Sequence, residues 1–164
     1  MTRIARTIAL LLLLCFALAQ AQEPQESKTK DTPRATGIGG IFFKAKDPAA
    51  LKGWYEKNLG MPMDQFGIMF RSLDVDPPHQ EQQLQWAAFN EKTSYFDPSE
   101  KPFMINYRVN DLAALLEQLK AAGVEPVDTV ETYSYGKFVH IMDIEGNKIE
   151  LWEPPDSTVT FDSE

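Results

Sequence analysis

Residues 143–154 read DIEGNKIELWEP, and this stretch predicts a tight turn that runs into a β-strand. Glu145-Gly146-Asn147 has the composition of a turn that connects two strands of a β-hairpin, and the residues after it alternate between apolar and polar side chains. In that alternation Glu150 stands between Ile149 and Leu151, so its side chain points to the opposite face of the strand from theirs. Glu150 is therefore either the polar residue of a half-exposed strand or a carboxylate that faces a site.

The chain also contains an internal repeat. KAKDPAALKGWYEKNLGM begins at Lys44 and RVNDLAALLEQLKAAGV begins at Arg108, which places Asp47 and Asp111 64 positions apart. Each copy predicts a strand, an acidic helix start, an amphipathic helix and a glycine stop. Shorter β-like runs follow each helix, so each half is predicted to be β-α-β-β-β.

The apolar stripes of the two predicted helices are expected to be core. The stripe of the first helix consists of Leu51, Trp54, Tyr55 and Leu59. The stripe of the second helix consists of Leu112, Leu115, Leu116 and Leu119.

Three stretches of the chain occur in the order found in one known family. GIGGIFFKAKDPAALKGWYEKNLGM, PFMINYRVNDL and YGKFVHIMDIEGNKIELWEP together resemble the glyoxalase, bleomycin-resistance and extradiol-dioxygenase superfamily, the vicinal oxygen chelate proteins. The resemblance implies an α+β fold of two βαβββ modules, whose eight strands form one cupped sheet with the helices outside. It also implies a homodimer and, in metal-dependent members, a divalent ion held by residues of the first and last strands of each module.

Of the four ligand positions that the resemblance implies, only Glu150 carries a strong donor. The other three are Gly40, Met104 and, by register in LQWAAFN, Gln85. Glycine offers no side-chain ligand, a thioether suits soft metals, and an amide is a weak ligand. The sequence therefore predicts no tightly bound metal or other cofactor, and at most a weak divalent site with Glu150 as its sole strong ligand.

A cup without a tight metal predicts a small-molecule site. The residues expected to line it are Gly40, Phe42, Gln85, Met104, Asn106, His140 and Trp152. Crowding of Glu150 by Trp152 and Phe42 is expected to raise its pKa, which would suit a general base. For His140 two interpretations stay open, a half-buried structural histidine and an acid or base of the pocket.

The first 21 residues predict a secretory signal peptide and hence a periplasmic or secreted protein. Arg3 and Arg6 precede a short apolar run, and small residues suit cleavage after Ala21. Cleavage leaves 14 basic and 24 acidic residues, a formal charge of −10, and removes the single cysteine. The mature chain therefore has no disulfide or thiol chemistry, and its acidity argues against nucleic acid and membrane surfaces as partners.

The remaining chain is predicted to hold one domain. Residues 22–35 are expected to be a disordered linker and residues 156–164 a flexible acidic tail. The domain is expected at 36–155, with modules at about 36–98 and 102–155.

Three functions are compatible with this sequence. The first is an exported protein that binds a small, partly apolar molecule in the cup. The second is a lyase or isomerase that uses Glu150 as base or as the ligand of a weak metal. The third is an interaction module with a vestigial cup.

Overall fold

The computed structural model describes residues 32–74 and 81–155. The predicted signal peptide, residues 22–31 of the predicted linker and the predicted acidic tail lie outside the described residues, so these assignments stay predictions. Within the described ranges, no helix has the length and apolar character needed to cross a membrane.

Seven strands and two helices make up the described domain. They are β1 Ala35–Ala45, α1 Pro48–Leu59, β2 Ile68–Leu73, β3 Glu81–Asn90, β4 Phe103–Val109, α2 Leu112–Ala121, β5 Glu131–Tyr133, β6 Gly136–Met142 and β7 Lys148–Glu153. The strands form one mixed, cupped sheet in the order β2-β3-β1-β4-β7-β6-β5. The predicted α+β architecture is confirmed.

The described sheet has seven strands where eight were expected, because the first module contributes three. The segment between α1 and β2 contains Pro62, which has no N–H for a strand ladder. It then turns tightly, with the Asp64 carboxylate accepting the N–H groups of Phe66 at 2.7 Å and Gly67 at 2.9 Å. In the second module, by contrast, the segment after the helix leads into an additional strand, β5.

Aspartates begin both helices, as the repeat predicted. Asp47 accepts the N–H of Ala50 and Asp111 accepts that of Ala114, each at 2.9 Å. The second helix packs as expected: its buried leucines lie against strand residues of the same core, namely Val109, Val139, Ile141 and Leu151.

The first helix does not pack as expected. It contains no fully buried residue, and Trp54 and Leu59 are each more than half exposed. The prediction that the whole apolar stripe of this helix belongs to the core is therefore wrong. Its contact with the sheet includes Tyr55, whose ring centroid lies 4.7 Å from that of Trp86 on β3. The edge strand β2 is likewise exposed along nearly its whole length.

The two modules meet at the centre of the sheet. β1 and β4 pair antiparallel, and each has a parallel outer neighbour, β3 and β7 respectively. We call the face that carries α2 the helix face and the opposite face the cup face. A second core lies on the cup face and consists of Phe42, Ala87, Phe96 and Met104.

Candidate functional site

A row of cup-face residues crosses five strands in register. Gly40 pairs with Gln85 on one side and Asn106 on the other, and Glu150 pairs with Asn106 and His140. Paired residues of neighbouring strands point to the same face of a sheet, which brings Asn106, Glu150 and His140 side by side. The period-two alternation of three separate strands thus assembles one polar cluster.

Glu150 is the centre of that cluster and is 3% exposed. Its Oε2 accepts a hydrogen bond from the Asn106 side-chain amide at 2.6 Å. Its Oε1 accepts from the Tyr95 hydroxyl and lies 3.1 Å from Nε2 of His140. A buried carboxylate with three polar partners is held in one position, because moving it would leave those partners unsatisfied.

His140 connects this cluster to a second carboxylate, Asp128. Nδ1 of His140 lies 2.6 Å from Oδ2 of Asp128, and the backbone N–H of His140 donates to Oδ1 at 2.9 Å. The imidazole therefore lies between Asp128 and Glu150, one at each ring nitrogen. Both contacts are hydrogen bonds at the same time when each ring nitrogen carries a proton. His140 pairs with Glu150 across β6 and β7 and faces the cup.

The electrostatics of Glu150 correct a prediction. Burial alone would raise its pKa, but hydrogen bonds from His140, Tyr95 and Asn106 stabilise the charged form and hold the pKa below its usual value. The expected rise in the pKa is therefore wrong, because the crowding side chains are donors rather than only apolar rings. For Tyr95 the pKa is raised, first by burial and then by the charge of Glu150 and its hydrogen bond.

The connection between the modules fills the centre of the cup. Phe96 is fully buried among Phe42, Met104 and Ala87, while Tyr95 lies next to it and reaches Glu150. We call residues 94–96 the plug. The plug was not predicted from the sequence, because a polar turn segment has no hydrophobic period and two adjacent aromatic residues were its only signal.

Lys148 and Phe89 hold the plug in place. The ammonium of Lys148, a buried cup-face residue of β7, donates to the carbonyl oxygen of Tyr95 at 2.8 Å. Phe89 stacks on the Tyr95 ring with their centroids 5.3 Å apart. The plug is therefore fixed by contacts from both modules.

The other predicted site residues make their contacts outside the hydrogen-bond network of Glu150. Gly40, Phe42 and Met104 lie beneath the plug, with the Phe42 ring against the space beside Gly40. The indole N–H of Trp152 donates to the carbonyl oxygen of Tyr135 at 2.9 Å. Gln85 donates to backbone carbonyl oxygens on its own side of the sheet. It lies three strand spacings of about 4.8 Å from Glu150.

The donors at the four family ligand positions do not fit a tightly held metal ion. Gly40 offers no ligand, Met104 is fully buried in the apolar core, and Gln85 lies away from Glu150. Asp128 and Glu150 contact opposite nitrogens of His140, so these three side chains do not converge on one point. Within 32–74 and 81–155, no group of three or more candidate ligands is arranged to hold a metal.

A cavity of about 300 Å³ adjoins the polar cluster. It lies on the cup-face side of the second module, and its wall includes the Tyr95 ring and the His140 imidazole. The rest of the lining consists of Ser94, Asp128, Thr129, Glu131, Phe138 and Lys148. Its volume is at the lower end of the range of small-molecule pockets.

Gly39 leaves room for the cluster, and a side chain there is expected to disrupt it. A Cβ at this position would lie 2.2 Å from Oδ1 of Asn106 and 2.7 Å from the Trp152 ring. We expect Gly39→Ala to lower the free energy of unfolding by about 1–3 kcal/mol, the usual cost of overpacking a core. Urea denaturation measures the loss. Gly53→Ala in α1 serves as the control, because a Cβ there meets no neighbouring atom and the change only removes the helix cost of glycine, about 0.5–1 kcal/mol.

Comparison with known proteins places this architecture among relatives. A family model described as the Glyoxalase/Bleomycin resistance protein/Dioxygenase superfamily matches residues 37–151. A search of curated proteins found no match.

Solved structures with similar folds include methylmalonyl-CoA epimerases. A Streptomyces coelicolor epimerase variant, in complex with 2-nitronate-propionyl-CoA, has a TM-score of 0.54 and 16% sequence identity. That match covers 75% of this chain and 100% of the epimerase chain. The Mycobacterium tuberculosis epimerase has a TM-score of 0.49 and 22% identity, covering 78% of this chain and 96% of its own. Similarity to the Streptomyces enzyme supports the shared fold.

Proposed function

The chain belongs to the glyoxalase, bleomycin resistance protein and dioxygenase superfamily, and we propose that within it this protein binds a small molecule without a tightly held metal. The observation that carries this proposal is the cavity beside Tyr95 and His140. Its lining is mostly polar, with the rings of Tyr95 and Phe138 as its aromatic part, so it offers a ligand both hydrogen-bonding groups and surfaces for packing. This location differs from the predicted one, since the centre of the cup is filled by the plug.

The electrostatics of the cluster favour binding over proton transfer. Efficient general acids and bases have pKa values near the working pH. The pKa of Glu150 is lowered and that of Tyr95 is raised, so at neutral pH the first is a weak base and the second a weak acid. Their shared hydrogen bond therefore serves to fix the cavity wall.

We also propose where and in what form the protein acts. The signal-peptide pattern of residues 1–21 supports export to the periplasm or the medium. The acidity of the mature chain supports the absence of nucleic-acid and membrane partners. A homodimer accords with the family resemblance and with the exposed apolar side chains of the first module, among them Trp54, Leu59 and Phe70.

A ligand screen tests the binding proposal. Purified mature protein is screened against small metabolites by thermal shift, and hits are confirmed by titration calorimetry. Ser94→Trp places an indole at the cavity wall and is expected to abolish binding of the hits. Ser72→Trp, on the exposed edge strand β2, is the matched control and is expected to bind normally. Hits that bind Ser94→Trp as tightly as the original protein would place their site elsewhere.

Metal analysis tests the second part of the proposal. We expect the purified protein to contain well under one equivalent of any transition metal after dialysis against a chelator. One equivalent of metal that remains bound after this dialysis would contradict the proposal and would make Glu150 a candidate metal ligand again.

A lyase or isomerase is the second candidate, and the Asp128–His140 pair beside the cavity favours it. Asp128 orients the ring through Nδ1, and Nε2, which faces Glu150, would have to leave that contact to accept a proton. The test is exchange of solvent deuterium into a carbon acid that binds the cavity. Protein-catalysed exchange that disappears in His140→Gln, with binding retained, would establish this function over simple binding.

A further inference from the structure

The charged side chains around the cavity are unevenly distributed. Asp128 and Glu131 contribute carboxylates to its lining, and both residues are exposed. The Lys148 ammonium donates to the carbonyl oxygen of Tyr95, so it is engaged by the plug. The imidazole of His140 lies between Asp128 and the third carboxylate, Glu150. Two carboxylates in the lining, with Glu150 behind His140, thus face one ammonium, and that ammonium already donates to the plug.

The aromatic walls add to this negative character. The Phe138 ring stacks on Trp152 on one side, with an interplanar angle of 11° and centroids 6.1 Å apart. Phe138 and Tyr95 both line the cavity. The faces of aromatic rings carry partial negative charge and attract cations.

The same carboxylates also act on the hydroxyl group of Tyr95. After burial and the effects of Glu150, the charges of Glu131 and Asp128 also contribute to raising its pKa. Carboxylates on three different segments thus act on one hydroxyl in the cavity wall.

We propose that the cavity selects a small organic cation, an amine attached to an aromatic or aliphatic body. The inference rests on the proposed function, since it names the ligand class of the same cavity. The ammonium is placed between Asp128 and Glu131, and the body of the ligand packs against Phe138 and Tyr95. An anionic ligand of the same shape meets like charges and is rejected.

Three probes that share one ring and differ in charge test the ligand class. They are benzylamine, benzyl alcohol and benzoate, each titrated into the mature protein and followed by amide chemical shifts in NMR. At low ionic strength we expect benzylamine to bind roughly tenfold more tightly than benzyl alcohol, with benzoate the weakest. Added salt is expected to reduce this preference, because it screens the charges of partly exposed carboxylates.

A charge-neutralising variant separates the carboxylate effect from packing. Glu131→Gln is expected to weaken benzylamine binding severalfold and to leave benzyl alcohol binding unchanged. Glu117→Gln makes the same charge change on the exposed face of α2 and is expected to alter neither.

Two results would overturn the cation inference. Equal affinities for the three probes, or a preference for benzoate, would refute it while leaving small-molecule binding in place. Failure of all three to bind would also refute it. The screen with Ser94→Trp then decides separately whether the cavity binds any ligand.

Discussion

Replacing Glu150 with alanine is expected to lower the free energy of unfolding by about 3–5 kcal/mol, the usual loss when one partner of a buried charged network is removed. The substitution leaves the Asn106 amide, the Tyr95 hydroxyl and His140 without their shared acceptor. Each buried polar group that loses its partner costs about 1–3 kcal/mol. The loss is large beside the 5–15 kcal/mol total stability of a typical domain.

The isosteric variant Glu150→Gln is expected to be less destabilised. An amide has one oxygen to accept hydrogen bonds where the carboxylate has two, so at least one of the surrounding donors loses its partner. We expect a loss of about 1–3 kcal/mol. Urea denaturation of both variants measures the two effects, and Glu117→Ala on the surface of α2 provides a control expected to lie within about 0.5 kcal/mol of the original protein.

Comparison of the original protein with Glu150→Gln reveals how Glu150 makes the stability depend on pH. Its folded-state pKa lies below the unfolded value of about 4.3. The stabilisation is therefore fully present above that unfolded value and is lost as the pH falls through the folded-state pKa. The stability difference between the original protein and Glu150→Gln should narrow over this acidic range. A difference that stays constant with pH would show that folding does not lower the pKa of Glu150.

Replacing Phe96 with alanine is expected to cost about 3–5 kcal/mol, the usual loss on deletion of a fully buried aromatic side chain. The ring is 0% exposed and fills the cup between Phe42, Ala87 and Met104. Its removal leaves an apolar cavity, and such cavities stay dry and bind small apolar molecules. Benzene is therefore expected to raise the melting temperature of this variant and not that of the original protein.

A matched substitution on the surface controls for the loss of a phenyl ring. Phe66 is 69% exposed, and Phe66→Ala is expected to change stability by no more than about 0.5 kcal/mol. If Phe96→Ala were as stable as Phe66→Ala, the plug would not be packed in the cup as described.

The alternation of side chains predicted the fold and most cup-face residues of the central strands. Met104 and Asn106 share the cup face, while Tyr107 and Val109 lie toward α2, as period-two patterning requires. The pairing of Asn106 with Glu150 also follows once the two modules are aligned. These features depend on local geometry, which a sequence displays directly.

The partners of Glu150 were harder to predict. Tyr95 and Asp128 lie outside the predicted strands, 55 and 22 positions before Glu150 in the chain, and no periodic pattern connects them to it. The pKa of Glu150 is lowered by hydrogen bonds from His140, Tyr95 and Asn106. Local patterning thus predicted where the carboxylate points but not that Tyr95 and Asp128 lie near it.

The plug lies in the connection between the two modules, and this limits the insertions and deletions that the connection tolerates. Connections between structural modules usually tolerate insertions, because they pack little against the rest of the protein. Here the connection supplies Phe96 to the core and Tyr95 to the polar cluster. One added or deleted residue would move both rings out of their places. The joint between the two halves is therefore an unsuitable position for inserting a domain or for circular permutation.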